Sequence, residues 1–233
     1  MKKVSLSYPA FSASVSCMDL LNLKHQIEEV ETSGVSFFHY DVVDGQFNRC
    51  FILGDTLLEQ MASATTLPIE AHLAVYDPEK YIERFAKSGA DYIAVQYEAL
   101  EHPLKTFDLI RKYGAEPVLC YKADSAPKND FISLAKEVAW ILKLTVNPGF
   151  SGQTIQPESI AHIRQMTALL KEAGIETPIQ ADGNVNQKTI SGLAAAGASI
   201  FTGGSSGLFL PESTISENVK KLLRSILCNS SAI

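Results

Sequence analysis

Cysteine is sparse: Cys17, Cys50, Cys120 and Cys228 lie far apart, with no C-x-x-C pair. That spacing argues against a zinc knuckle or a thioredoxin-like redox motif and fits reduced thiols in a cytoplasmic protein. Basic runs are missing too. With a formal net charge of -6 and no cluster of Lys and Arg, the chain offers no surface for a nucleic-acid backbone. A phosphorylated small molecule stays compatible, because one local nest of backbone N–H groups is enough to hold it. Long apolar runs are also lacking. VAWIL at 138–142 stops at Lys143, far short of the roughly 20 residues that a membrane helix needs. The opening MKKVSLSYPAFSASVSC has two lysines, but serines interrupt any apolar signal-peptide core. Neither a nucleic acid nor a membrane is therefore an expected partner.

No linker rich in Pro, Gly and Ser divides the 233 residues, and 46% of them are hydrophobic, enough to bury a full core. Short β-rich runs alternate with amphipathic helical patterns, as in a parallel sheet. The expected strands are SASV (12–15), FFHYDV (37–42), IEAHLAV (69–75), YIAVQ (92–96), PVLCY (117–121), VAWILKLTV (138–146), PIQAD (178–182) and SIFTG (199–203). Between them, DLLNLKHQIEEVETSG, PEKYIERFAKSGA and PESIAHIRQMTALLKEAG carry apolar residues at helical spacing and a closing glycine. Eight strand–helix units in this length predict one closed (β/α)8 TIM barrel over residues 1–233, with residues 1–11 an N-terminal extension, rather than an open doubly wound sheet.

Within FFHYDVVDGQF (37–47), His39 and Asp41 break an otherwise apolar strand. Residues at i and i+2 of a strand project to the same side, so these two are aimed together while Phe38, Tyr40 and Val42 face the other way. Catalytic groups of such barrels sit at the C-terminal ends of strands. Those ends carry Ser14, His39 with Asp41, His72, NPGFSGQ (147–153), Asp182 with Gly183, and GGSSG (203–207). Two histidines and two aspartates from three strands suit one divalent ion, Zn²⁺, Fe²⁺, Mn²⁺ or Co²⁺, without selecting among them. Each piece alone has a plainer explanation. A single strand histidine is more often a hydrogen-bonded core residue, NPGF is a good turn, and GGSSG is a flexible connection. What joins them is that all fall at one end of the inferred barrel. His25, His102 and His162 do not, and read as surface residues.

HYDVVDGQF, EAHLAV, TVNPGFSGQ, IQADGNV and GASIFTGGSSGLF, in this order from about Ala13 to Phe209, resemble the ribulose-phosphate 3-epimerase family. SCMDLL (16–21) and SSGLF (205–209) are similar to its allulose 6-phosphate 3-epimerase branch. The resemblance implies a metal held by His39, Asp41, His72 and Asp182, with Zn²⁺ or Fe²⁺ first in line. It implies that Asp41 and Asp182 serve as acid and base. Epimerising a ketose phosphate at C3 removes a proton from one face and returns one to the other, so two carboxylates must flank the carbon. The phosphate is expected at the loops after the seventh and eighth strands, where glycines let backbone N–H groups point at an anion. Gly183, Asn184, Gly204 and Ser205 stand there, and the family adds Gly149, Phe150, Ser151 and Gly152. Ser14 matches a substrate-contacting serine, and His72 also faces substrate. A homo-oligomer is the expected assembly.

The chain departs from the family where methionines commonly stand near the metal, with Val43, Ala74 and Leu144 there, and Gln96 stands in place of a histidine. Gln46, Arg49, Cys50 and Asn184 depart as well. The leading expectation is a metal-dependent 3-epimerase of D-ribulose 5-phosphate, with D-allulose 6-phosphate as the alternative substrate. A non-catalytic sugar-phosphate-binding barrel is the reading from another class, and retention of both Asp41 and Asp182 speaks against it. A barrel decarboxylase or lyase does not call for this two-histidine, two-aspartate set.

Overall fold

The computed structural model describes residues 2, 6–147, 149 and 152–230. Eight parallel strands close on themselves: β1 (Ala10–Ser14), β2 (Phe37–Asp44), β4 (Ile69–Ala74), β5 (Tyr92–Gln96), β6 (Glu116–Tyr121), β7 (Ile141–Leu144), β8 (Ile179–Asp182) and β9 (Ile200–Gly203). Each pairs with the next, and β1 pairs with both β2 and β9. The remaining strand, β3 (Phe51–Ile52), folds back antiparallel on the end of β2. The helices α1 (Leu23–Glu31), α2 (Asp55–Ala64), α3 (Glu79–Lys87), α4 (Pro103–Lys112), α5 (Phe131–Ala135), α6 (Pro157–Glu172), α7 (Ile190–Ala196) and α8 (Ile215–Ser230) follow the strands in turn. This is the (β/α)8 barrel that the alternation predicts. No helix among the described residues is long and apolar enough to cross a membrane.

Strand boundaries shift in several places, and two of these shifts matter most. β1 starts at Ala10, so the last two residues of the expected extension belong to the barrel, and Val15 opens a 3-10 turn instead of ending the strand. The long apolar run 138–146 supplies only four strand residues: Trp140 precedes the strand, and beyond it Thr145 Oγ1 donates to the carbonyls of Asp182 and Gly183 at the end of β8.

The strand parity holds. Phe38, Tyr40 and Val42 belong to the outer buried layer shared with the helices, which also holds Ile82 and Phe85 of α3 and Ile163, Met166 and Leu170 of α6. Proline at the first turn of α6 costs no hydrogen bond, since that N–H has no partner within a helix. The other parity points to the barrel axis. There Ala10, Phe37, Tyr92, Trp140, Leu142 and Ile200 form a separate inner cluster. Trp140 is its centre, with ring centroids 5.2 Å from Phe37 and 4.5 Å from Tyr92. This plug fills the N-terminal half of the barrel, and the buried polar cluster of the inward faces lies above it.

Candidate active site

Above the aromatic plug the inward residues turn polar. Register places His39 beside Glu70 and Asp41 beside His72 on the neighbouring strand. His39 Nδ1 lies 2.6 Å from Glu70 Oε2, both side chains fully buried. Glu70 also accepts from Trp140 Nε1 at 2.8 Å and from Gln180 Nε2 at 2.9 Å. The carboxylate thus holds the ring so that Nε2 points up the axis, the arrangement that orients a metal-ligating histidine.

At the top, His39 Nε2 is 3.0 Å from Asp41 Oδ1 and 3.7 Å from Asp182 Oδ2, and His72 Nδ1 is 3.0 Å from Asp41 Oδ1. One donor atom from each of His39, Asp41, His72 and Asp182 lies within 4.8 Å of the other three. Two imidazole nitrogens and two carboxylate oxygens converging on one point fit a divalent first-row cation. The charge balance agrees. Burial acts to lower the basicity of His39, but Asp41, Glu70 and Asp182 around it outweigh burial and raise it well above the usual imidazole value, so the spot attracts positive charge.

The two carboxylates differ. Burial acts to raise Asp41, yet the charges and hydrogen bonds of His39 and His72 hold it far below the usual carboxylate range. Ser16 Oγ donates to Asp41 Oδ2 at 3.1 Å, and Ser14 Oγ lies 3.4 Å from the same oxygen. Asp182 is pushed up to about 6, by burial first and by the neighbouring Asp41 charge, with His39 opposing. Their side chains keep 18% and 20% of their surface exposed while both imidazoles have none. The carboxylates are therefore reachable from outside and the histidines are not.

What reaches them is a cavity of about 410 Å³. Ser14, Asp41, Gly149, Gly152, Asp182, Gly183, Asn184, Gly204 and Ser205 all line it, so the sequence-derived positions meet in one place, with His39 and His72 beneath its floor. Phe150 and Ser151 lie outside the described residues. Gly183 has φ +115°, and a Cβ there would stand 2.6 Å from Val146 and 2.8 Å from Thr145 Oγ1, so only glycine lets this backbone lie at the cavity wall. A Cβ on Gly204 would stand 2.9 Å from Cys17 Sγ. Asn184 takes a left-handed conformation with φ +48°, which asparagine tolerates better than most residues. Its side-chain oxygen accepts from Asn186 Nδ2 at 2.9 Å, within its own loop.

The departures from the family pattern are spread over the rim and the buried interior. Val43 and Ala74 pack with Phe47, and Cys50 and Ile52 lie against them, while Leu144 belongs to the inner cluster and lines the cavity. Of the other histidines, His25 is exposed and His102 precedes α4 at the surface, but His162 is only half exposed and its Nδ1 lies 3.3 Å from Ala123 O. Sequence reasoning missed Glu70, Ser16, Trp140 and Gln180. For Glu70 a signal existed, since it precedes His72 by two residues and so shares its inward face.

The model of the ribulose-phosphate 3 epimerase family matches residues 10–209. The chain belongs to that family. Among curated relatives, ribulose-phosphate 3-epimerase of Methanocaldococcus jannaschii is 31% identical over 83% of this chain and 81% of its own length. The Bacillus subtilis protein of the same name is 32% identical over 82% of this chain and 88% of its own. These relatives are epimerases, isomerases that act on a carbohydrate phosphate. Among solved structures, a mutant tryptophan synthase alpha-subunit from Pyrococcus furiosus covers 94% of this chain and 98% of its own, with a TM-score of 0.65 at 12% identity. That likeness concerns the fold alone.

Proposed function

We propose that the chain is a metal-dependent 3-epimerase that interconverts D-ribulose 5-phosphate and D-xylulose 5-phosphate. The observation that carries this reading is that Asp41 and Asp182, on β2 and β8, face one cavity with their acidities driven in opposite directions. Pairs of titratable groups pushed apart in this way take the roles of base and acid. Asp41, held ionised by two imidazoles and by Ser16, accepts the C3 proton from one face of the sugar. Asp182 delivers one to the opposite face; in the reverse direction the roles exchange. A simple sugar-phosphate binder has no use for this division.

His39, Asp41, His72 and Asp182 would hold the divalent cation, Zn²⁺ or Fe²⁺ before Mn²⁺ or Co²⁺. Bound there, the cation supplies Lewis-acid stabilisation of the negative charge that develops beside C3. Glu70 keeps His39 turned toward the site. The backbone at Gly183, Gly204 and Ser205, together with Gly149 and Gly152, suits the phosphate, and Ser14 and Asn184 complete the substrate contacts. The names of the curated relatives favour a pentulose phosphate over the allulose reading. Four cysteines far apart in the sequence agree with a cytoplasmic location, and a homo-oligomer remains part of the proposal.

The test is turnover of metal-replete protein in heavy water with D-ribulose 5-phosphate and D-allulose 6-phosphate side by side. Deuterium should enter C3 of xylulose 5-phosphate, because carboxylates exchange their protons with solvent. No incorporation with either sugar would leave the binding-protein reading as the survivor.

A further inference from the structure

Gln96 ends β5 with no exposed surface, and its side chain meets the nitrogen of His72 that faces away from the cation site. Gln96 Nε2 is 2.7 Å from His72 Nε2, and Cys120 Sγ is 3.4 Å from the same nitrogen. As placed, the amide donates, so His72 Nε2 must be the bare nitrogen and Nδ1 carries the proton. That proton then points at Asp41 Oδ1, 3.0 Å away. A ring in this tautomer has no lone pair to offer from Nδ1, the atom that belongs to the converging set.

Binding a cation through Nδ1 moves the ring proton to Nε2, where it would face the amide's own N–H groups. Turning the amide by half a revolution removes the conflict, because Oε1 then accepts from His72 Nε2–H. Gln96 Oε1 has no hydrogen-bond partner among the described residues, so the turn breaks no bond on that side and gives the oxygen a partner. Cys120 is compatible with both, since a thiol donates weakly to a bare nitrogen and its sulfur accepts weakly from an N–H.

We infer that Gln96 is a positioning residue whose amide orientation selects the tautomer of His72, and that cation binding and the amide turn are one coupled event. The inference rests on the proposed cation site. Residues that orient a metal-ligating histidine are worth about 10–100-fold in metal affinity, and Gln96 should fall in that range.

Zinc, being diamagnetic, serves as the probe. In protein labelled with ¹⁵N at histidine, chelator-treated wild type should show His72 with Nδ1 protonated, and the zinc-loaded form should show Nε2 protonated. The apolar Gln96→Met keeps the length but cannot donate or accept. In the chelator-treated variant Asp41 still accepts from His72 Nδ1–H, but the Nε2–H of the zinc-loaded form has lost its amide acceptor, so zinc affinity by chelator competition should drop about 10–100-fold. A role in packing alone would leave zinc affinity unchanged. Zinc bound to wild type with His72 keeping one tautomer throughout would overturn the inference while sparing the cation site. Failure of wild type to bind zinc would overturn both. Should Gln96→Met not fold, the wild-type tautomer measurement still decides.

Discussion

The lower and upper halves of the barrel interior are built from the same strands and face the same axis, yet one is an aromatic plug and the other a cluster of ionisable groups. The change takes one or two steps along each strand. Ala10, Ser12 and Ser14 lie in succession on β1, Phe37, His39 and Asp41 on β2, and Ile200 and Thr202 on β9. Between the halves runs a fully buried belt in which Ser12 donates to Thr202 at 3.1 Å, Gln180 to Thr202 at 2.9 Å, and Gln180 and Trp140 to Glu70 at 2.9 and 2.8 Å. The lower half holds the strands together by exclusion of water. The upper half carries groups whose burial works against folding, and they persist there because each meets an opposite charge or a donor. The comparison teaches that the aromatic plug and the reactive cluster are one construction, joined through Trp140, which packs against Phe37 and Tyr92 below and donates to Glu70 above.

The sharpest way to separate the halves is Asp41→Asn against Asp182→Asn. Each should lower epimerase turnover by at least about 10²–10⁴-fold, the worth of a positioned acid or base, with little change in folding. Metal content measured on the same samples distinguishes a lost proton carrier from a lost ligand. The mirror experiment is Phe37→Ala in the plug, which should cost about 3–5 kcal/mol in urea unfolding while turnover per folded molecule stays near wild type. A large loss of turnover there would mean that the two halves cannot be separated.

Glu70→Gln addresses the belt itself. The amide keeps the size but offers His39 a weaker partner, so metal affinity should fall about 10–100-fold with a smaller loss of stability than Phe37→Ala. The smallest effect concerns pH. Burial and the neighbouring Asp41 charge push the Asp182 carboxyl of the metal-free protein up to about 6 from the usual 3.8. A raised carboxyl stabilises the fold fully below its unfolded value and loses that contribution as pH rises through its folded value. The stability difference between wild type and Asp182→Asn should therefore shift against wild type from about pH 4 to about pH 7, read by urea midpoints. A shift in the other direction would remove Asp182 from the role of proton holder.

Much of the site was legible before folding. The H-x-D pair in FFHYDV names its own inward face through strand parity, and the ends of IEAHLAV, PIQAD and SIFTG fall level with it once eight units close. Glu70 could have been read from the same parity and was hidden only because a carboxylate two residues before a histidine has no chemistry until a second strand supplies its partner. Ser16 was not legible, since it follows β1 in a 3-10 turn, where no period says which way a side chain points. The two ends of VAWILKLTV were lost for a related reason: apolar content marks burial and does not separate a strand from the turns that flank it.

By itself the sequence determined the repeating strand–helix alternation, the inward and outward faces, and the four residues able to hold a cation, because these follow from local periodicity. Only the tertiary structure decided that His39 leans on Glu70, that Gln96 meets His72, and that Asp41 and Asp182 part in acidity. Those facts depend on the register between strands far apart in the chain and on the depth at which each charge is shielded from water, and neither is set until the barrel closes.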